Sequence, residues 1–86
     1  PYNGYNYFSM GALLLNRGRS EGIGFLKQSM KYFSNSSTYL YIARGLRDHG
    51  SPEESKRWYR HLLFVRPDIR RTHEEYREIL ERSGEQ

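Results

Sequence analysis

Apolar side chains recur along most of the chain at spacings of three and four residues, the period of an α-helix with one buried face. The first such set contains Tyr7, Met10, Gly11, Leu14 and Leu15, which the spacing places on one face of a first helix near residues 5–17. No stretch alternates apolar and polar residues for long, so strands are not predicted. The pattern predicts about five helices in an all-α chain: one pair over 5–33, a second pair over 37–66 and a last helix over 68–82.

Residues typical of helix ends separate these segments. Gly18 follows the first helix, Ser20 with Glu21 can open the second, and residues 35–37 can end the second and cap the third. The sharpest signal is Ser51-Pro52-Glu53-Glu54, in which Ser51 accepts a backbone N–H and the Glu54 carboxylate reaches back to the Ser51 amide. Pro67 ends the fourth helix, and Asp68 is an acceptable cap for the fifth.

The last predicted helix has a narrow apolar stripe. Tyr76, Ile79 and Leu80 form it, and most other positions carry Arg or Glu. A helix with one narrow apolar side and a charged circumference faces water over most of its surface. This is how the capping helix at the end of a stack of repeats is built.

The first two helices align with the next two. Tyr7/Tyr39, Met10/Ile42, Gly11/Ala43, Leu14/Leu46 and Gly18/Gly50 each lie 32 residues apart, and Gly22/Ser55, Leu26/Tyr59 and Ser29/Leu62 lie 33 apart. Both spacings are close to the ~34 residues of a tetratricopeptide repeat. The second copy resembles that family over Tyr39, Ile42, Ala43, Leu46, Gly50, Ser55, Tyr59 and Pro67.

The resemblance to the tetratricopeptide repeat (TPR) family covers about residues 5–82, although the first copy lacks the closing proline. It implies two antiparallel helix pairs and a C-terminal capping helix in a right-handed α-α superhelix. Small residues at the equivalent positions Gly11 and Ala43, and Gly22 and Ser55, let the paired helices approach closely. Two repeats and one helix are fewer than the three repeats usually needed for independent stability, so we expect a single domain over 1–86 that belongs to a longer protein or associates with itself.

A finer resemblance concerns that longer protein. Residues 5–7, 11–16, 18–21, 31–35 and 59–67 resemble the tails of bacterial O-antigen ligase or polymerase-like membrane proteins, which carry a short TPR region after their membrane helices. This resemblance implies a domain tethered to a bacterial inner membrane through its parent. Glycosyl transfer would then belong to the membrane part, with this segment as a regulatory or assembly appendage.

Composition narrows the function further. The chain has no cysteine, which excludes disulfides and thiolate metal sites, and its longest apolar run, residues 11–15, is far short of a membrane span. We therefore expect a soluble domain in a compartment that the sequence does not identify. The formal net charge of +4 arises mainly in residues 1–43, since residues 44–86 are nearly balanced, so an unbalanced nucleic-acid-binding face is not indicated.

Catalytic patterns are lacking. His49, His61 and His73 lie twelve residues apart, which is not the spacing of zinc ligands on a helix or short loop. The glycines of residues 18–24 precede no Gly-Lys-Ser/Thr sequence and follow no strand, so a helix turn explains them better than a phosphate loop. The segment is predicted not to be an enzyme and to need no cofactor or metal.

The predicted function is a protein-protein interaction scaffold that holds a peptide or helix in a concave groove. The family resemblance places the first helix of each pair along that groove, so a peptide or helix of a protein partner would bind there. Other domains of the parent chain and a second copy of this chain are the alternative partners. The alternative without a binding role is that Tyr5, Phe8 and Tyr41 only pack the core and that Arg44 and Arg47 are simply solvated. The candidate contact residues are Tyr5, Phe8, Ser9, Ala12, Asn16, Ser37, Leu40, Tyr41, Arg44, Arg47, Asp48, Arg71, Glu75 and Glu78.

A ligand with an acidic C-terminal tail is disfavoured. One subset of the TPR family holds such tails with a clamp of basic and Asn side chains. Here Phe8, Ala12, Tyr41 and Glu75 stand at most of the corresponding places, and only Arg71 fits the clamp.

Overall fold

In a computed structural model, which describes residues 4–32 and 35–84, every regular element is an α-helix. No strand occurs in these two ranges, so the all-helical prediction and its five helices are confirmed. The helices are α1 Gly4–Asn16, α2 Glu21–Ser29, α3 Ser36–His49, α4 Pro52–Val65 and α5 Arg70–Arg82.

Two helices begin with the caps that the sequence predicts. The Asn35 side chain accepts a hydrogen bond from the Thr38 amide at 2.9 Å, and Ser51 Oγ accepts one from the Glu54 amide at 3.3 Å. The expected hydrogen bond from the Ser51 amide to the Glu54 carboxylate is replaced by another. That carboxylate accepts instead from Lys27 Nζ on α2 at 3.0 Å, so it links two helices.

The starts of α2 and α5 differ from expectation. Neither Ser20 before α2 nor Ile69 before α5 makes a side-chain capping bond. Asp68 does not cap α5, since the N-cap position is taken by Ile69, and the Asp68 carboxylate accepts two hydrogen bonds from Arg66, each 3.1 Å long. The helix α2 is shorter than predicted, and residues 33 and 34, the expected end of the first pair, lie outside the described ranges.

Small residues allow close contact within each helix pair. A Cβ atom added to Gly22 would lie 2.5 Å from the Gly11 carbonyl oxygen, so α1 and α2 approach backbone to backbone. In the second pair, Ser55 Oγ donates to the Ala43 carbonyl oxygen at 2.7 Å. Close contacts of α1 with α2 and of α3 with α4 therefore occur at equivalent positions of the sequence repeat.

The hydrophobic core lies mainly between the first pair and the second. Leu26 of α2 and Ile42 and Leu46 of α3 are buried together. Met10, which the spacing predicts on the buried face of α1, is instead 42% exposed. Around the three buried residues pack the half-buried side chains of Phe8, Leu15, Ile23, Met30, Tyr41 and Trp58.

A second buried region connects α4 to α5. Tyr59 and Leu62 of α4 are fully buried, and Ile79 of α5 is 3% exposed. Tyr59 and Tyr76 bring their ring centroids to 6.3 Å. The last helix is thus packed on α4 by its narrow apolar stripe, as its sequence predicts.

Within the described ranges, no helix combines the length and the hydropathy required to cross a bilayer.

Candidate functional site

Five of the predicted contact residues come together where α1 meets α3. Asn16 of α1 and Tyr41, Arg44, Arg47 and Asp48 of α3 line one pocket of about 130 Å³. We call this surface the α1/α3 groove. Its wall is completed by Leu15, Gly45 and His49.

The groove exists because α1 and α3 lie close together. A Cβ atom on Gly45 would meet the Leu15 methyl groups at 3.1 Å and Ile23 Cγ1 at 2.9 Å, so only glycine leaves room for this contact. Phe8 packs edge-on against the Tyr41 ring, with centroids 5.6 Å apart and planes at 86°. Tyr41 therefore serves both the helix contact and the wall of the groove.

One carboxylate ties three helices together beside the groove. Glu75 of α5 accepts hydrogen bonds from Arg44 Nε at 2.9 Å and Nη2 at 2.6 Å. It also accepts from the Tyr59 hydroxyl of α4 at 2.7 Å. The Glu75 side chain is only 14% exposed, so these bonds form in a partly dry environment, where such bonds are stronger.

The surroundings of Glu75 on α5 and Tyr59 on α4 shift the pKa values of both side chains. Burial acts to raise the pKa of Glu75, but the hydrogen bonds from Arg44 and Tyr59 outweigh it, and the pKa is lowered. Burial and then the bond to Glu75 raise the pKa of the Tyr59 hydroxyl. Glu75 is consequently a stable carboxylate and Tyr59 a stable hydrogen-bond donor.

The second arginine of the groove is also paired. Arg47 donates to the Asp48 carboxylate through Nε at 2.8 Å and Nη2 at 3.1 Å, and its Nη1 lies 3.4 Å from a Glu75 oxygen. The bond to Asp48 raises the pKa of Arg47, and the same bond lowers the pKa of Asp48. With Arg44 and Glu75 counted, the formal charge of this cluster is balanced.

The remaining candidates are dispersed. Ser9 lines a different pocket together with Met10 and Leu13, and Tyr5 is 71% exposed. A contact role for these residues stays a prediction. The same holds for the exposed Ser37, Arg71 and Glu78 and for the half-buried Ala12 and Leu40.

For the two arginines, the structure contradicts the alternative that they are simply solvated. The side chains of Arg44 and Arg47 are 28% and 20% exposed and are held by carboxylates, so they are not simply solvated. Phe8 and Tyr41 do pack against the core, as that alternative has it. Sequence reasoning missed the Tyr59 hydroxyl, because nothing near it in sequence indicates a partner sixteen residues away.

The three histidines lie in separate surroundings. His49 lines the groove, the His61 ring lies 4.9 Å from the Tyr39 ring, and the Pro67 carbonyl oxygen is 2.7 Å from His73 Nε2. Over residues 4–32 and 35–84, no three His, Asp or Glu side chains converge in a way that could hold a metal ion.

The sequence and the fold were compared with protein-family models, with curated proteins and with solved structures, and none of the three comparisons gives a match.

Proposed function

We propose that this chain is a TPR-like interaction module that binds a peptide segment of a protein partner in the α1/α3 groove. The observation that carries the proposal is the groove itself, where exposed polar groups stand on a packed, hydrogen-bonded support. The inward surfaces of α1, α3 and α5 would together form the concave side of a right-handed superhelix.

The repeat-like interior supports the TPR-like assignment. The Gly11/Gly22 contact and the Ala43/Ser55 contact occupy equivalent positions, and each brings two helices close together. The two helices of each pair are antiparallel. In the first pair, residue 11 lies near 26 and residue 15 near 22; in the second, residue 39 lies near 61 and residue 43 near 55. Two hairpins of one design, stacked in sequence order, are the basic unit of helical-repeat proteins.

The size of the groove favours a peptide over a small molecule. Its pocket of about 130 Å³ is smaller than the ~300–1,000 Å³ of typical small-molecule sites. A volume of this size accommodates one side chain of a longer ligand. The rim offers the Asn16 amide and the Asp48 carboxylate, both exposed, for hydrogen bonds to a peptide backbone.

The charge of the groove favours a ligand without an acidic tail. Arg44 and Arg47 are already matched by Glu75 and Asp48, so the groove offers a ligand carboxylate no net positive charge. The network also fixes both arginines before binding, which reduces the conformational entropy lost on association. We expect a neutral or mixed-charge segment anchored by an apolar or aromatic side chain against Tyr41.

A displayed peptide library tests the proposal. Peptides selected on the wild-type protein are measured by fluorescence anisotropy against Asn16→Ala, Tyr41→Ala and a control, Phe64→Ala. Phe64 is 84% exposed on α4 and does not line the groove. The two groove variants should weaken binding by about 10-fold or more, the loss of one good contact, while the control binds as wild type does.

Because Tyr41 also packs against Phe8, circular dichroism must show that Tyr41→Ala is folded at the assay temperature. Arg44→Ala is unsuitable for this test, because it would leave Glu75 without its main partner and lower stability. Selection of no peptide, or peptides that bind Asn16→Ala and Tyr41→Ala with undiminished affinity, would contradict the proposal.

A further inference from the structure

An apolar surface lies on the outer side of α1 and α2. It consists of Tyr7, Met10, Leu13, Phe25 and Tyr32, and we call it the α1/α2 outer face. Leu13 is 44% exposed, Tyr32 is 58% exposed, and the Tyr7 ring stacks on the Tyr32 ring at 5.8 Å. Between the two helices this face contains a pocket of about 390 Å³.

This face is separate from the groove and from the core. Residues two apart on a helix point about 200° away from each other. Leu13 therefore points away from Leu15, whose methyl groups contact the Gly45 backbone of α3. A large aliphatic side chain on this side of α1 has no role in packing α1 against α3.

The internal repeat shows what such a face receives. At the offset of 32 residues, Met10 corresponds to Ile42 and Leu13 to Gly45. Ile42 is fully buried against the first pair, and a Cβ on Gly45 would lie 2.9 Å from Ile23. At these positions the second repeat is covered by helices of the first repeat. The first repeat instead exposes two large apolar side chains there.

We propose that a second copy of this chain covers the α1/α2 outer face, in a two-fold symmetric dimer in which the two outer faces pack against each other. This inference goes beyond peptide binding and uses none of the groove residues. In this dimer, α1 and α2 of each chain cover the outer face of the other chain, as the first helix pair covers the second within one chain.

The composition of the face fits an interface core. Its five members include three aromatic residues and one methionine, the types enriched at interface centres, and none is charged. Because none of the five is charged, a chain with a formal net charge of +4 brings no like charge into the centre of this interface. Glu21, at the edge beside Phe25, borders the face and is paired with Arg19 at 2.6 Å.

The opposite end of the molecule disfavours a head-to-tail arrangement. There α5 packs on α4 with Tyr76 and Ile79, and its outer surface is charged. Laying that surface on the apolar outer face would remove charges from water without partners, which is costly. The exposed charged side chains of α5 are Arg70, Arg71, Glu74, Arg77, Glu78, Glu81 and Arg82.

The size of the face sets the expected affinity. A helix of 13 residues such as α1 is about 20 Å long, and two adjacent helices offer roughly 400 Å² per copy. This is about half of the ~800 Å² per partner of a standard interface, so we expect a dissociation constant in the range of about 10 µM to 1 mM.

Sedimentation equilibrium from about 5 µM to 2 mM tests the dimer, a range chosen to span that constant. The weight-average mass should rise from 10.3 kDa towards twice that value. Met10→Lys/Leu13→Lys places two charges in the interface from each copy, so its dissociation constant should rise about 100-fold or more. The matched control is Phe64→Lys/Val65→Lys, which adds the same charge at two exposed apolar positions of α4 and should dimerise like the wild type.

Far-UV circular dichroism establishes that both double variants are folded. A wild-type chain that stays at 10.3 kDa over the whole range overturns the proposal without reference to any variant. So does a dimer that the α4 variant abolishes and the α1 variant leaves intact, or masses that continue to rise beyond the dimer.

Discussion

At the scale of single residues, Glu75 is the most heavily connected side chain near the groove. It accepts hydrogen bonds from Arg44 and Tyr59 and thereby joins α5 to both α3 and α4. Partners 31 and 16 residues away in sequence cannot be identified from local spacing. The sequence shows an arginine and a glutamate on charged helices, and only the fold brings them within contact.

Glu75→Gln should lower the free energy of unfolding by about 2 kcal/mol, because a neutral amide replaces a carboxylate that holds a guanidinium and a buried hydroxyl. Urea denaturation monitored by circular dichroism measures the change. Glu74→Gln, at the exposed neighbouring position, is the matched control and should change stability by less than about 0.5 kcal/mol. Equal effects of the two substitutions would show that the network contributes nothing.

The pH dependence of stability isolates the same carboxylate. The pKa of Glu75 is lowered in the folded chain from the ordinary value of 4.5, so its ionised form stabilises the fold above that value. As pH falls below 4.5 and through the lowered pKa, this contribution is lost. The stability difference between wild type and Glu75→Gln should therefore be largest near neutral pH and shrink in acid, measured by urea titrations at a series of pH values. A constant difference would contradict this assignment of the carboxylate.

At the scale of helices, the spacing of apolar residues predicts the elements well because each helix has a distinct buried side. The caps at Asn35 and Ser51 are local, so sequence identifies them. Predictions of caps fail where another side chain binds the carboxylate. Arg66, two residues away, holds Asp68, and Lys27 of α2 holds Glu54. The prediction for Met10 is wrong because α1 carries apolar residues on two sides, and spacing alone does not tell which side is covered.

Two glycines of α2 give opposite predictions. Gly22→Ala should destabilise the fold by about 2 kcal/mol or more, since the new Cβ would lie 2.5 Å from the Gly11 carbonyl oxygen. Gly24→Ala meets no atom within 4 Å and should stabilise by about 0.5–1 kcal/mol through helix propensity. Thermal unfolding of both variants compares them directly. If both substitutions stabilise the protein, α1 and α2 do not approach as described.

At the scale of the whole molecule, the sequence anticipates five helices and part of the groove. The repeat offsets align the close contacts Gly11/Gly22 and Ala43/Ser55 before any coordinates are known. They do not reveal that Arg44 pairs with Glu75, because this pairing depends on where α5 docks. The repeat offsets also do not show whether an exposed surface binds a ligand or packs against a second chain.

The most direct test of the central claim, that the α1/α3 groove binds a peptide, is to map a selected peptide by backbone amide NMR on the wild-type chain. The largest chemical-shift changes on titration should lie at and around Asn16, Tyr41 and Asp48. Changes centred on Phe64 or on the α1/α2 outer face, with the groove unaffected, would contradict it.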